Sequence, residues 1–210
     1  MLMLLAVMLA IVVNAQIPAN IMEVLEKCND KMDNPAGMVV DMNLKTKVVL
    51  FSINGKMKLY TKGDKSFSEI SIKAMGHEMR MESGFDGQQN WDFKSTDDKD
   101  EKDSLIITKA TKAIKNDYSV DLDFEKLYKK AKMKEKGLYY EIEFSERIDP
   151  EQPKKMKVKI AKNNYYLREV NFSEGSVNVT MTVTKVTVGA RDSVFQLDMK
   201  RYKDAVVIRK

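Results

Sequence analysis

Cysteine and histidine are nearly missing from this 210-residue chain, which has one residue of each type, Cys28 and His77. The single thiol excludes a disulfide within the chain. Metal sites built from clusters of cysteine and histidine are excluded for the same reason. We expect Cys28 to lie on the buried face of a helix, where it behaves as a small apolar residue. We expect His77 to be a partly buried strand residue rather than a metal ligand or a base.

Motifs for phosphate binding and catalysis are also missing. The segment Gly84-Phe85-Asp86-Gly87 has neither the glycine spacing of a phosphate loop nor a lysine after it. Acidic pairs such as Asp97-Asp98 and Glu141/Glu143 belong to a loop and to a charged strand face. Two carboxylates are enough for a glycosidase, but nothing here favours one. We therefore predict that the protein is not an enzyme and that it uses no cofactor and no metal.

Long apolar runs are limited to residues 1–13, fewer than the roughly 20 that a membrane-spanning helix needs. Val13-Asn14-Ala15 matches the pattern that a signal peptidase cleaves. We therefore predict a signal peptide at 1–15, export to the periplasm, and a mature chain that begins at Gln16. No lysine or arginine precedes the run. A start inside a longer leader, a buried N-terminal helix and a retained anchor stay open as alternatives.

The chain is basic, with 36 lysines and arginines against 31 acidic residues and a net charge of +5. Such a balance is compatible with nucleic acid or an anionic membrane surface. However, basic and acidic residues alternate along the chain, without a purely basic run flanked by aromatic residues. This pattern favours a solvated sheet face, so we predict no nucleic-acid partner.

Two hydrophobic periods divide the chain. A helical period near the start, with Asn20 as candidate N-cap, runs through Ile21, Leu25, Cys28 and Met32. From Met38 the period changes to two, which is typical of half-buried antiparallel strands. These strands follow one another at about ten-residue spacing and predict a meander. Turns are expected at 52–55 and 63–64, the second at Gly63-Asp64.

Two further helices are predicted in the middle of the chain. The first covers residues 105–116, and the second begins after Asp121 or Asp123. A polar loop at 95–103 precedes them, and strands resume at Leu138. No repeat or second boundary interrupts this order, so we predict one α+β domain at 16–210.

Methionine is abundant, with 15 residues in the chain. On the predicted strands it occupies alternating positions, namely Met38, Met42, Met57, Met75, Met79 and Met81. Ordinary core filling is one interpretation. The other is a soft lining, because the unbranched side chain adapts to varied apolar partners. A broad sheet face under a few short amphipathic helices is easily left with an apolar cavity, which favours the lining.

Three segments resemble one family, the outer-membrane lipoprotein carriers called LolA-like. Residues 85–93 (FDGQQNWDF) look like the family's Asp-Gly hairpin with its following tryptophan. Residues 55–60 (GKMKLY) resemble an early strand, and 192–198 (DSVFQLD) resemble the terminal strand. The chain departs where carriers have an arginine that fixes the covering helices, because Lys62-Gly63-Asp64-Lys65 stands there.

The resemblance implies an incomplete antiparallel β-barrel, that is, a strongly curved meander sheet with helices covering the concave face. It implies a periplasmic carrier that binds acyl chains of lipoproteins, or other lipids, and takes them toward the outer membrane. The implied partners are an inner-membrane transporter and an outer-membrane receptor, with the carrier a monomer. The alternative is a non-catalytic sensor or scaffold module of the cell envelope. The residues predicted to bind lipid are Met42, Met57, Met75, Met79, Met81, Trp91, Phe93, Leu127 and Tyr128.

Overall fold

The protein is described by a computed structural model, which covers residues 17–49, 51–74, 76–98, 101–109, 124–148, 150 and 152–210. The predicted signal peptide at 1–15 lies outside these residues. Among the described residues, no helix is long and apolar enough to cross a membrane.

Most of the described residues form strands, and they contain one long helix, α1 (Ala19–Met32). A four-residue helix, α2 (Phe124–Leu127), precedes β7, and two short 3-10 helices follow β11 at Asp192–Phe195 and Met199–Tyr202. The strands are β1 (Met38–Val48), β2 (Phe51–Lys62), β3 (Lys65–Ala74), β4 (His77–Phe85), β5 (Gln89–Thr96), β6 (Ser104–Lys109), β7 (Tyr128–Lys136), β8 (Tyr139–Arg147), β9 (Lys155–Ala161), β10 (Leu167–Glu174), β11 (Val177–Val188) and β12 (Val206–Arg209).

All twelve strands belong to one sheet, in the order β12-β6-β5-β4-β3-β2-β1-β11-β10-β9-β8-β7. Two antiparallel meanders, β1 to β6 and β7 to β11, are joined where β1 pairs with β11. Among the strands that the structure describes, β12 and β7 form the two edges, and no pairing between them closes the sheet. This architecture agrees with the predicted incomplete barrel. One pairing departs from the expected meander, since β12 runs parallel to β6.

The pairing register separates two faces of the sheet. Met42 stands opposite Met57, Met57 opposite Ile70, and Ile70 opposite Met81, so these side chains share one face. We call this the helix face, because the buried residues of α1 belong to the same core cluster. The opposite face carries Tyr60 and its neighbours and is called the C-terminal face, because residues 189–205, the C-terminal segment, pack on it.

The predicted first helix and the predicted strand series are confirmed, and so is the turn at Gly63-Asp64. Cys28 lies on the buried face of α1, as expected. Asn20 does not cap the helix, since the capping position is Pro18 and Asn20 lies within the first turn. The turn expected at 52–55 is wrong, because β2 begins at Phe51.

The helices predicted to cover the concave face are not confirmed. Residues 105–109 of the expected helix at 105–116 belong to β6, and residues 110–123 lie outside the described part of the chain. Ile106, Ile107 and Thr108 are β-branched, and their χ1 restriction favours a strand. Among the described residues of the second expected helix, only Phe124–Leu127 are helical, because Tyr128 already begins edge strand β7.

The resemblance also implied a terminal strand at residues 192–198, and this expectation is wrong. Asp192–Phe195 is a 3-10 helix, and Phe195 is buried against the C-terminal face. The C-terminal segment leaves β11 by way of Gly189, whose amide donates to the Gly37 carbonyl at 2.8 Å. Gly37 has φ +82°, and a Cβ there would lie 2.7 Å from the Thr61 carbonyl oxygen. Glycine is therefore required at this crossing.

Candidate functional site

Methionines lie on the helix face, as the alternation predicted, and together with Ile70 of β3 they form a row across β1 to β4. Met42 and Met57 are buried, with 3% and 2% of their surfaces exposed. Farther along the same face, Met79 and Met81 on β4 are only half-buried. Met75, which was predicted to belong to this row, lies outside the described residues.

The row widens into a partly exposed apolar surface on β2 to β4. Leu59 and Ile72 are half-buried and pack against the same core cluster as Met81. The register places Ile72 opposite Met79, and Ile70 opposite Met81. We call Leu59, Ile72, Met79 and Met81 the apolar strip. The flexible methionines on β4 can adapt to an occupant more easily than the β-branched Ile72 on β3.

Helix α1 covers another part of the helix face. Its buried residues are Ile21, Val24, Leu25 and Cys28, at helical spacing along one side. Lys27 on its outer side places its ammonium 5.1 Å from the Tyr165 ring centre. Burial raises the pKa of the Cys28 thiol to about 12, so the thiol stays protonated and unreactive at neutral pH. Cys28 therefore acts as a packing residue here.

Leu127 and Tyr128 belong to the helix face, at the edge formed by β7. Tyr128 is 1% exposed, and its ring lies 5.6 Å from the ring of Phe144 in the same core cluster. Its hydroxyl donates to the Pro153 carbonyl at 2.8 Å. Burial raises the pKa of Tyr128 to about 12. Leu127 is half-buried against this cluster. The structure thus brings both residues into one core with Met42 and Met57.

Trp91 and Phe93 lie on the opposite face from the methionines. Trp91 stands opposite Gly84, and Phe93 stands opposite Glu82, whereas Met81 stands opposite Lys94. Trp91 and Phe93 therefore pack under the C-terminal segment, together with Phe195. The structure does not place them on the apolar strip. The β4–β5 register decides this position. A shift of β5 by one residue would be needed to place Trp91 and Phe93 on the helix face, as the predicted lining requires.

A charged cluster that the sequence did not reveal fixes the C-terminal segment. Glu82 is 2% exposed, and its carboxylate accepts hydrogen bonds from the Tyr202 hydroxyl at 2.6 Å and from Arg201 at 2.8 Å. Arg80 also pairs with Glu82. Arg201 donates to Glu69 at 2.6 Å as well. Burial and the neighbouring Glu82 carboxylate raise the pKa of Tyr202 above its ordinary value.

An open hollow of about 720 Å³ lies on the C-terminal face over β1 to β4. Its lining includes Met42, Met57 and Ile70 together with polar and charged residues such as Asp41, Lys56 and Arg80. Removal of the charged groups from water without full pairing costs free energy. The charged side chains therefore make the hollow less suitable for an acyl chain than the apolar strip, which is the candidate site.

His77 is exposed at the start of β4 rather than partly buried. Its Nδ1 lies 3.0 Å from an Asp97 carboxylate oxygen. The pKa of the Asp97 carboxyl is lowered, chiefly by a hydrogen bond from the Glu78 backbone and then by the contact with His77. Within the described ranges, no group of three His, Cys, Asp or Glu side chains is placed to hold a metal ion.

Comparisons with known proteins show the fold. No family model and no curated protein matches the chain. A solved structure of an uncharacterized conserved protein from Thermus thermophilus aligns over 91% of this chain and 99% of that chain, with a TM-score of 0.57 and 10% identity. The same sheet architecture therefore occurs in a protein of very different sequence.

Members of the family that the sequence resembles are also among the matching structures. A LolA superfamily protein from Nitrosomonas europaea aligns over 85% of this chain and 98% of its own, with 11% identity and a TM-score of 0.41. A domain described as an outer membrane lipoprotein-sorting protein, from Vibrio parahaemolyticus, aligns over 83% and 95%, with 10% identity and a TM-score of 0.42.

Proposed function

We propose that this protein is a non-catalytic carrier that binds acyl chains on its helix face. The observation that supports the proposal is the apolar strip, where the buried methionines of β1 and β2 continue into the half-exposed Met79 and Met81 of β4. An unclosed sheet leaves such a face open at its edges. Flexible thioether side chains fit apolar chains of different shapes.

The energetics allow binding with release. Each buried methylene contributes about 0.8 kcal/mol, so a chain of about 16 carbons gains on the order of 10 kcal/mol in a perfect cavity. A carrier has to bind more weakly than this, or the cargo is never released. Ordering of the methionine side chains costs conformational entropy and lowers the net affinity. A strip that is only half-covered buries less of the chain and lowers it further.

The cellular setting is part of the proposal. The predicted signal peptide at 1–15 and the LolA-like resemblance support export to the periplasm, with a single domain at 16–210. The cargo would be the acyl chains of lipoproteins or another lipid. An inner-membrane transporter would supply it, and an outer-membrane receptor would accept it. The carrier would act as a monomer.

A charge placed on the apolar strip tests the site. Met81→Asp puts a carboxylate among apolar side chains, and we expect it to weaken binding of a fluorescent fatty acid at least tenfold. Met199→Asp is the matched control, because Met199 lies on the C-terminal segment with 39% of its surface exposed. Circular dichroism and thermal unfolding report whether both variants fold. Equal affinity of a folded Met81→Asp variant and wild type would exclude the strip as the site.

Native mass spectrometry tests the cargo. Full-length protein expressed in a Gram-negative host and purified from the periplasmic fraction without detergent should carry bound lipid or a lipidated protein. Vesicle assays should show transfer of a labelled acyl chain between two membranes. Protein that is consistently empty, takes up no acyl-chain probe and instead holds a stable protein partner would overturn the carrier proposal in favour of a sensor or scaffold module.

A further inference from the structure

Strand β7 forms one of the two edges of the sheet. Among the described strands it pairs with β8 only, from Tyr128 to Lys136. In an antiparallel pair, every second residue of an edge strand directs its backbone N–H and C=O groups away from the sheet. Such an edge is a template to which a further extended chain can add by backbone hydrogen bonds.

Side chains of different chemistry alternate along β7. Exposed lysines occupy every second position on the C-terminal face, namely Lys130, Lys132, Lys134 and Lys136. Between them, Ala131 is buried in the core of the helix face, and Met133 packs against that core. Glu135, on the same side as Met133, is paired with Lys162 at 2.7 Å. The edge is therefore basic on one face and mainly apolar on the other.

Charge alternates in sign from strand to strand across this part of the sheet. Going inward from β7, Lys134 stands opposite Glu141, and Glu141 stands opposite Lys159. Lys159 in turn stands opposite Glu169 and forms an ion pair with it at 2.9 Å. Opposite charges on neighbouring strands stabilise a sheet. A strand added outside β7 therefore fits this order when it carries carboxylates.

Two lysines of β7 have no ion-pair partner among the residues that the structure describes, namely Lys132 and Lys134. Glu143 stands opposite Lys132 but pairs with Lys157 on β9 at 3.2 Å. Glu141 stands opposite Lys134 but pairs with two other lysines. A second copy of β7 would bring further lysines to this edge, and like charges on neighbouring strands repel. The edge therefore suits an acidic chain rather than another copy of itself.

We propose that β7 is a docking edge for an extended polypeptide segment in which acidic and apolar residues alternate. The segment would add to β7 through backbone hydrogen bonds, with its carboxylates beside Lys132 and Lys134. Its apolar side chains would lie beside Ala131 and Met133, on the other face. The edge is distant from the apolar strip, which lies on β2 to β4, so this interaction is independent of acyl-chain binding.

A short fluorescein-labelled peptide with glutamate and valine at alternating positions tests the interaction by fluorescence anisotropy. We expect saturable binding to the full chain at low ionic strength, and slower hydrogen exchange of residues 128–136 in the complex. A second peptide of the same composition has all its glutamates before its valines. It should bind about tenfold more weakly, because its carboxylates do not share one side of a strand. Equal affinity of the two peptides, or unchanged exchange, would overturn the proposal.

Lysine substitutions on two strands separate this edge from general charge attraction. Lys132→Gln/Lys134→Gln removes two ammonium groups from β7, and we expect it to weaken binding of the alternating peptide about fivefold, since cross-strand charge pairs are lost. Lys45→Gln/Lys47→Gln is the matched control, because these lysines are also exposed and lie on the same face of the central strand β1. The control should bind the peptide as tightly as wild type does.

The remaining outcomes would contradict the assigned edge. Circular dichroism reports whether both variants fold. A folded Lys132→Gln/Lys134→Gln variant with wild-type affinity, or equal weakening in the control, would mean that β7 does not bind the peptide. A wild-type dimer in sedimentation that the alternating peptide dissociates would assign the edge to a second copy of the chain instead.

Discussion

On the helix face, methionines and aliphatic residues pack under α1 and continue into a half-exposed strip, whereas on the C-terminal face aromatic rings and a buried carboxylate hold a folded segment. The first arrangement depends on non-directional apolar contacts that tolerate exchange of partners. The second depends on hydrogen bonds with fixed geometry around Glu82. One sheet thus combines an adaptable surface with a fixed one, and four substitutions test this difference.

The largest effect is expected at Glu82. Glu82→Ala leaves Arg80, Arg201 and the Tyr202 hydroxyl without their buried acceptor, and removal of one partner of a buried ion pair costs about 3–5 kcal/mol. Urea unfolding followed by circular dichroism measures the loss. If folded protein remains, its acyl-chain affinity should be unchanged. A loss below about 1 kcal/mol would contradict the fixed character of this face.

The packing of α1 is tested by Leu25→Ala. Leu25 is 1% exposed in the helix-face core, and truncation of a buried leucine to alanine costs about 2–5 kcal/mol. We expect the lower part of this range, because flexible methionines nearby can move into the space. Thermal and urea unfolding give the free energy. A loss at the upper limit would show that this core is as rigid as the opposite one.

Gly84→Ala tests how closely the Trp91 ring packs against β4 on the C-terminal face. The new Cβ overlaps the buried Trp91 ring, and overpacking of this kind costs about 1–3 kcal/mol. A double-mutant cycle with Trp91→Leu isolates the clash, since the smaller side chain removes most of the overlap. We expect the cost of Gly84→Ala to shrink in the Trp91→Leu background. Additive free energies would show that the indole does not impose the glycine.

The smallest effect is expected on the solvated part of the C-terminal face. Lys157 pairs with Glu143 at 3.2 Å, and both side chains are largely exposed. Exposed pairs of this kind contribute about 0–1 kcal/mol, so Lys157→Ala should change the free energy of unfolding by less than about 0.5 kcal/mol. Glu143→Ala gives the matching measurement from the other partner. A larger loss of stability in both variants would show that this exposed pair stabilises the fold as the buried cluster around Glu82 does.

Much of the fold was predictable because the strands are half-buried. Alternation from Met38 onward has period two, and the helical spacing from Ile21 to Met32 marks α1. The stretch at 105–109 was misassigned, since its apolar residues fit both periods and the pairing with β5 decides between them. The 3-10 helix at Asp192–Phe195 was missed because Phe195 is buried by a segment that folds over the sheet.

The candidate site was only partly predictable. The methionines of each strand lie on one side of that strand because its alternation has period two, and that follows from the sequence. The face on which Trp91 and Phe93 lie did not follow from the sequence. It depends on the register of β5, which is set by the Asp86-Gly87 turn after β4. The buried ion pair of Glu82 could not be predicted from the sequence either. Its partners Arg201 and Tyr202 lie 119 and 120 residues away along the chain.

The sequence by itself determined one amphipathic helix, a series of alternating strands and two chemically different sides on each strand. Local periodicity is enough for this, because side chains in strands and helices point in directions fixed by the backbone. The tertiary structure decided which sides share a face, which face α1 covers and where the C-terminal segment packs. These outcomes depend on turn geometry and on contacts between residues far apart in the chain, which local patterns do not encode.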